Sequence, residues 1–111
     1  MSKIYIMENW TEFNEKTDRS MKNDFCSAPY PGMQQIVNYL KNNNIAGIAF
    51  KTYKDVFTGE TIGPAKIYSD DELLWNSSLP YYIQKYNLRL PEDIEKKILN
   101  KISHKNVENM L

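Results

Sequence analysis

The residue types that most often carry catalysis are scarce in this chain. Its one histidine, His104, lies in a polar C-terminal segment, and its one cysteine, Cys26, follows Phe25 just before a proline-rich loop. A nucleophile needs a base that is held within hydrogen-bonding distance, which a frayed polar segment does not provide. We therefore interpret His104 as a solvated surface side chain and Cys26 as a small buried apolar residue.

Metal and phosphate sites are not indicated either. One cysteine and one histidine cannot complete a structural zinc site. Residues 69–72 contain three carboxylates, but they lack the glycine and the alternating spacing of a calcium loop, so a β-turn is favoured. None of the four glycines belongs to a phosphate-binding loop. The sequence thus predicts a protein that is not an enzyme and that binds neither a cofactor nor a small-molecule substrate. The rival hypothesis is an enzyme whose carboxyl groups act as acid and base, which would require a carboxyl group with a strongly raised pKa.

Carboxylates concentrate in the middle of the chain, where they could engage a basic partner. Residues 51–75 contain five acidic residues and only three lysines. Two aromatic residues do not follow the helical spacing of their neighbours, so we expect Trp75 and Tyr81 to be exposed. Anionic side chains steer a basic partner and an exposed ring anchors it, whereas the alternative for each carboxylate is a solvated turn. The predicted partner-binding residues are Asp70, Asp71, Glu72 and Trp75, followed by Asp55, Glu60 and Tyr81.

A small antiparallel sheet is predicted to position these carboxylates. Strands are expected at residues 45–56, 61–69 and 72–75, and residues 3–7 form a further extended segment that could join them. Pro64 has no backbone donor, so its strand should be an edge strand or be bulged there. In this arrangement Asp55 and Glu60 lie at one end of the sheet, and Asp70 and Asp71 lie at the other.

Helices are predicted to cover this sheet. Apolar residues recur at helical spacing over residues 32–43, 78–87 and 91–102, and Pro80 and Pro91 suit first turns. Residues 8–25 are only weakly helical. The predicted fold is a single α+β domain over residues 1–111: an antiparallel β-meander of three to four strands packed against about three helices, with a core from about 29 to 102 and a polar tail at 103–111.

The totals restrict the class of protein. The chain has 111 residues, of which 41% are hydrophobic and 25% charged, and its 14 basic side chains balance 14 acidic ones. This suits one globular domain and argues against a nucleic-acid binder, which would carry a basic excess. No apolar run reaches the roughly 7–15 residues of a signal peptide or the 20 or so of a membrane span. We expect a cytoplasmic protein with no membrane partner.

The stretch YSDDELLWNSSLPYYIQKYNLRLPEDI, residues 68–94, joins an acidic turn, a Trp, an aromatic helix and a Leu-Pro pair that opens the last helix. Together with the upstream YLKNNN and DVFTGE, it resembles bacterial immunity proteins encoded beside polymorphic or contact-dependent growth inhibition toxins. The resemblance spans about residues 29–99. The chain has Asp70-Asp71 where that pattern has Asp-Gly, so its turn type differs.

The resemblance implies a non-enzymatic, cytosolic protein that binds and neutralises a cognate protein toxin. Many such toxins are nucleases, and a nuclease site that is basic enough to hold phosphate can be occupied by an anionic protein surface. The rival hypothesis is a nucleic-acid-associated regulatory protein. It would use the lysines of the predicted last helix and the segment after it: Lys96, Lys97, Lys101 and Lys105.

Overall fold

The computed structural model describes the backbone of residues 3–110 and the side chains of residues 3–104. Within this range the chain forms four strands and three α-helices. The strands are β1 (Ile4–Tyr5), β2 (Asn44–Lys54), β3 (Thr61–Ser69) and β4 (Leu73–Asn76), and the helices are α1 (Met33–Lys41), α2 (Leu79–Tyr86) and α3 (Glu92–Met110). Two short 3-10 helices, Ile6–Asn9 and Met21–Asp24, lie between β1 and α1. The predicted α+β class is confirmed.

The four strands form one mixed sheet in the order β1-β4-β3-β2. The β2, β3 and β4 strands make the predicted antiparallel meander, and β1 adds to β4 in parallel. Because β3 is an inner strand, the prediction that Pro64 marks an edge is wrong. The alternative of a bulge describes the strand pair, since the register with β2 is irregular between Ile48 and Thr52, the residue opposite Pro64.

The helices bury the apolar stripes that their spacing predicts. Ile36, Val37 and Leu40 of α1 are fully buried, and the corresponding residues of α2 and α3 join them in one core. The last helix extends to Met110, beyond the predicted end at residue 102, because residues 103–110 contain neither proline nor glycine. No helix in residues 3–110 is both long and apolar enough to cross a membrane.

The N-terminal segment also belongs to the core, which therefore extends beyond the predicted residues 29–102. Ile6, Met7, Trp10 and Met21 are fully buried. The indole Nε1 of Trp10 donates a hydrogen bond to the carboxylate of Asp24 at 2.9 Å. The apolar residues in this segment are too widely spaced to form a helical stripe, which explains why the sequence pattern gave no clear element there.

Trp75 lies inside the core, so the prediction that it is an exposed aromatic is wrong. Its side chain is fully buried, and its indole Nε1 donates to the carbonyl oxygen of Leu40 at 3.1 Å. Side chains alternate across a strand, so Trp75 shares its face of β4 with the buried Leu73. The ring also stacks beside that of Tyr68, its cross-strand partner on β3.

Candidate functional site

The predicted carboxylates lie at opposite ends of the β2–β3 pair. The register pairs Asn44 with Ser69 at one end and Lys54 with Thr61 at the other. Asp70, Asp71 and Glu72 follow Ser69 in the turn between β3 and β4, which we call the acidic turn. Asp55 and Glu60 lie in the turn between β2 and β3, which we call the hairpin turn.

Asp70 organises the acidic turn from within. One of its carboxylate oxygens accepts the backbone N–H groups of Glu72, at 2.7 Å, and Leu73, at 2.6 Å. The other oxygen accepts the hydroxyl of Tyr39, which reaches it from α1 at 2.7 Å. The side chain is only 6% exposed. Asp70 therefore holds the turn rigid, and it is not available as a contact for a partner.

Two lysines from α3 close over the acidic turn. The Nζ atom of Lys101 lies 3.0 Å from Asp70, 3.1 Å from Asp71 and 3.1 Å from Glu72, and that of Lys97 lies 2.6 Å from Glu72. These lysines are four residues apart, so they lie on one face of the helix. The ammonium group of Lys3 also donates to the backbone carbonyl of Asp70 at 2.7 Å. Three carboxylates are thus balanced by three ammonium groups, which makes the turn much less anionic than the sequence suggested.

The charges of this cluster stabilise one another. Burial acts to raise the pKa of Asp70, but the hydrogen bonds from Tyr39, from the turn backbone and from Lys101 lower it overall. Hydrogen bonds from Lys97 and Lys101 lower the pKa of Glu72. The three carboxylates raise the pKa of Lys101 against the opposing effect of its burial. Asp70, Glu72 and Lys101 are thus charged near neutral pH.

A cleft of about 700 Å³ opens beside the acidic turn. Asp71, Glu72, Lys97 and Lys101 line it, and its other walls are Tyr39, Asn43, Asn100 and His104. His104 is an exposed residue of α3 and does not lie in a frayed tail as predicted. The cleft therefore offers carboxylates, ammonium groups, amides and an imidazole, a set of groups suited to recognising polar and charged side chains.

The hairpin turn is built around the buried carboxylate of Asp55. It accepts the hydroxyls of Tyr81, at 2.7 Å, and Tyr86, at 2.6 Å, both from α2. It also accepts the backbone N–H groups of Phe57, at 2.7 Å, and Thr58, at 3.3 Å. Asp55 is 2% exposed and thus serves to attach the turn to α2.

The acid–base enzyme hypothesis requires a carboxyl group with a raised pKa, and the opposite holds at both turns. Burial acts to raise the pKa of Asp55, but the bonds from Tyr86, Phe57, Tyr81 and Thr58 lower it to about 2. The pKa values of Asp70 and Glu72 are lowered as well. Among the described residues, no three histidine, cysteine or acidic side chains are arranged to hold a metal ion.

Only some of the predicted contact residues are accessible. The side chains of Asp71 and Glu60 are 86% and 66% exposed, and that of Glu72 is 38% exposed. Tyr81 is half-buried, and its hydroxyl accepts a hydrogen bond from Lys85. Asp55, Asp70 and Trp75 are buried, so they shape the turns and the core without meeting a partner.

The residues that complete each turn were not identified from the sequence. At the hairpin turn, Lys85 pairs with Glu60 at 3.1 Å. At the acidic turn, Lys97 and Lys101 pair with the carboxylates, and the hydroxyl of Tyr39 donates to Asp70. The four-residue spacing of Lys97 and Lys101 was a visible signal that both lie on one face. Their partners lie some 25 to 31 residues away in the chain, so spacing alone could not identify them.

No family model matches this chain, and no curated protein or solved structure is significantly similar to it.

Proposed function

We propose that this chain is a non-enzymatic immunity protein that binds and neutralises a cognate protein toxin in the cytosol. The observation that carries the proposal is the acidic turn, where Asp71 projects into solvent beside a polar cleft while Asp70 fixes the turn backbone. The resemblance of residues 68–94 to immunity proteins agrees with this role.

The rigidity of the turn favours binding. A carboxylate on a mobile loop loses conformational entropy when it is captured, whereas a turn that is already held in place loses little. Asp71 and Glu72 are presented in this way, because Asp70 bonds to the backbone of the turn and α3 closes over it. A basic side chain of the toxin can approach the exposed side of Asp71 while Lys101 stays bound to the buried Asp70.

The toxin is proposed to be a nuclease, because a phosphate-binding site presents the basic side chains that this turn can engage. The rival nucleic-acid function has less support. Lys97 and Lys101 are paired with the carboxylates of the acidic turn. Of the lysines of that hypothesis whose side chains the structure describes, this leaves Lys96, which is 70% exposed and forms a solvent-exposed pair with Glu92. The fourth lysine of that hypothesis, Lys105, lies outside the residues whose side chains the structure describes.

The test is to co-express this chain with the toxin domain encoded next to its gene. Wild-type protein should restore growth and bind the purified toxin domain in calorimetry. The double variant Asp71→Lys, Glu72→Lys should weaken binding by at least tenfold and reduce its dependence on salt, because the steering charge is reversed.

The double variant Glu15→Lys, Asp18→Lys is the matched control, since both residues are exposed carboxylates outside the cleft and the two substitutions change the net charge by the same amount. It should leave affinity nearly unchanged. If the variant Asp71→Lys, Glu72→Lys still protects fully, the acidic turn is not the toxin-binding surface. Failure of the wild-type protein to protect against, or bind, any neighbouring toxin domain would overturn the immunity function itself.

A further inference from the structure

A second cavity, which the toxin-binding proposal does not use, lies between β3, the end of α1 and α2. Its volume is about 360 Å³, which falls in the range of roughly 300–1,000 Å³ that is typical of ligand pockets. Two prolines, two tyrosines and Ile62 line it together with two lysines, Lys41 and Lys66. None of the described residues in this lining carries a carboxylate. We call this cavity the lysine pocket.

Lys66 brings a positive charge into the pocket without a counter-ion. Three lysines in residues 3–104 are partly buried, and two of them, Lys97 and Lys101, are paired with the acidic turn. The third is Lys66, whose ammonium group forms no ion pair or hydrogen bond with any residue in that range. The exposed Lys41 differs, because its Nζ atom donates to the side-chain oxygen of Gln84 at 3.1 Å. A partly buried charge without a partner is unfavourable, so an anion that enters the pocket is attracted to Lys66.

Ser77 fixes the backbone that carries Lys66. The Oγ atom of Ser77 accepts the backbone N–H of Lys66 at 3.1 Å and donates to the carbonyl oxygen of Pro64 at 3.0 Å. The backbone N–H of Ser77 also donates to the carbonyl oxygen of Lys66 at 2.9 Å. These three hydrogen bonds hold this part of β3 in place without using the ammonium group. The pocket is therefore largely formed before a ligand arrives, which lowers the entropic cost of binding.

Two exposed isoleucines of β2 extend the apolar surface beside the pocket. The register pairs Ile48 with Lys66 and Ile45 with Tyr68. Cross-strand partners lie on the same face of a sheet, so both isoleucines lie on the face that carries Lys66 and Tyr68. Ile48 is 68% exposed and Ile45 is 50% exposed. An apolar group that is bound beside Lys66 can therefore also cover side chains that are otherwise in contact with water.

We propose that the lysine pocket binds a small aromatic carboxylate, whose charged group pairs with Lys66 and whose ring packs against the apolar lining. Pro64, Pro80, Tyr68 and Tyr81 supply surfaces on which a flat ring can pack. Because one ammonium group lacks a partner, a ligand with a single negative charge matches the pocket. The lining residues are spread from position 41 to position 84, so no local motif indicated this ligand. The pocket shares no lining residue with the cleft beside the acidic turn, so this proposal is independent of toxin binding.

The first experiment is an NMR titration of the wild-type protein with cinnamate, monitored through the backbone amide signals. Cinnamate should bind in a saturable manner with a Kd of roughly 0.1–1 mM, as expected for a ligand of this size. The amide signals of Gly63, Lys66 and Gln84 should shift, and that of Asp71 in the acidic turn should not. Cinnamyl alcohol is the matched control ligand, since it has the same ring without the charge, and it should bind about tenfold more weakly. Absence of saturable binding by cinnamate, equal affinities for the two ligands, or shifts confined to other parts of the protein would overturn the proposal.

The second experiment repeats the titration with variants whose fold is checked by circular dichroism. Lys66→Met removes the charge but keeps a long side chain, so it should weaken cinnamate binding about tenfold and leave the affinity for cinnamyl alcohol unchanged. Lys66→Arg retains the charge and should bind cinnamate within about threefold of the wild type. Lys54→Met is the matched control, because Lys54 is an exposed lysine of β2 outside the lining of the pocket, and it should bind cinnamate like the wild type. Equal losses of cinnamate affinity in Lys66→Met and Lys54→Met would show that Lys66 does not anchor the ligand.

Discussion

The ammonium group of Lys101 lies 3.0 Å from the carboxylate of Asp70, although the two residues are separated by 31 positions in the chain. Their side chains are 22% and 6% exposed, so the contact is largely shielded from water. Lys101 belongs to α3, and Asp70 also accepts the hydroxyl of Tyr39 from α1. One carboxylate thus links two helices to the turn between β3 and β4.

This relationship predicts that Lys101→Met lowers the free energy of unfolding by about 2 kcal/mol, because a mostly buried carboxylate loses its cation. Urea denaturation near pH 7 measures the change. Lys96→Met is the control, since its ion pair with Glu92 joins side chains that are 70% and 84% exposed. Such pairs contribute about 0.5 kcal/mol or less. Equal effects of the two substitutions would contradict the structural role of Lys101.

Asp55 predicts a specific loss of stability in acid. Its pKa is lowered from the ordinary 3.8 to about 2 in the folded protein. Because this pKa is lower in the folded than in the unfolded chain, the ionised carboxylate of Asp55 stabilises the fold fully above pH 4. This contribution is lost as the pH falls through the pKa of the folded protein near 2. The shift corresponds to roughly 2 kcal/mol. Urea denaturation at several pH values should therefore show a steep decline in this window.

Asp55→Asn isolates the contribution of that carboxylate. The variant should be less stable than the wild type at pH 7, and its stability should fall less between pH 4 and pH 2. Glu60→Gln, at the 66% exposed carboxylate of the same turn, should retain the wild-type slope. If the slopes of Asp55→Asn and the wild type coincide, the hydrogen bonds from Tyr81 and Tyr86 do not favour the ionised carboxyl group.

Because Trp75 is buried, we expect its substitution to lower the stability of the protein without changing its affinity for a toxin. Trp75→Phe leaves a cavity in the core and removes the donor to the Leu40 carbonyl, so we expect a loss of about 2–3 kcal/mol in denaturation experiments. The affinity of the folded variant for a toxin should match that of the wild type, because the ring is inaccessible. Normal stability combined with weakened binding would restore Trp75 as a partner contact.

Gly32 predicts a destabilisation that depends on backbone geometry. Its φ is +85°, and an added Cβ would lie 3.3 Å from the Cδ2 atom of Leu99 in α3. Gly32→Ala should therefore lower the free energy of unfolding by about 1–2 kcal/mol, as measured by urea denaturation. Gly47→Ala is the matched control, because nothing lies within 4 Å of its added Cβ. A smaller cost at Gly32 than at Gly47 would contradict the constrained entry into α1.

The elements near the centre of the chain could be predicted because their residues repeat at regular spacing. The stripe of Ile36, Val37 and Leu40 is buried as the helical period requires, and β3 has the predicted bounds. The N-terminal segment could not be predicted in the same way. Trp10 and Met21 enter the core from irregular backbone, where no period relates their positions.

Part of the candidate site was visible in the sequence, and part depended on long-range packing. The grouping of Asp70, Asp71 and Glu72 in a turn follows from neighbouring residues. Neighbouring residues do not reveal which of the three side chains is exposed. Asp70 is enclosed by Tyr39 and Lys101, which belong to helices far away in the chain. The exposure of Trp75 was predicted wrongly because its local spacing did not reveal which face of β4 the helices cover.

The sequence by itself determined the α+β class, the three apolar helix stripes and the concentration of carboxylates in two turns, since each depends on residues within a few positions of one another. The tertiary structure alone decided which charged groups are neutralised, which aromatic rings are buried and which strand is left with an open edge. These properties depend on contacts between residues that are far apart in the chain, and neither periodicity nor composition records such contacts.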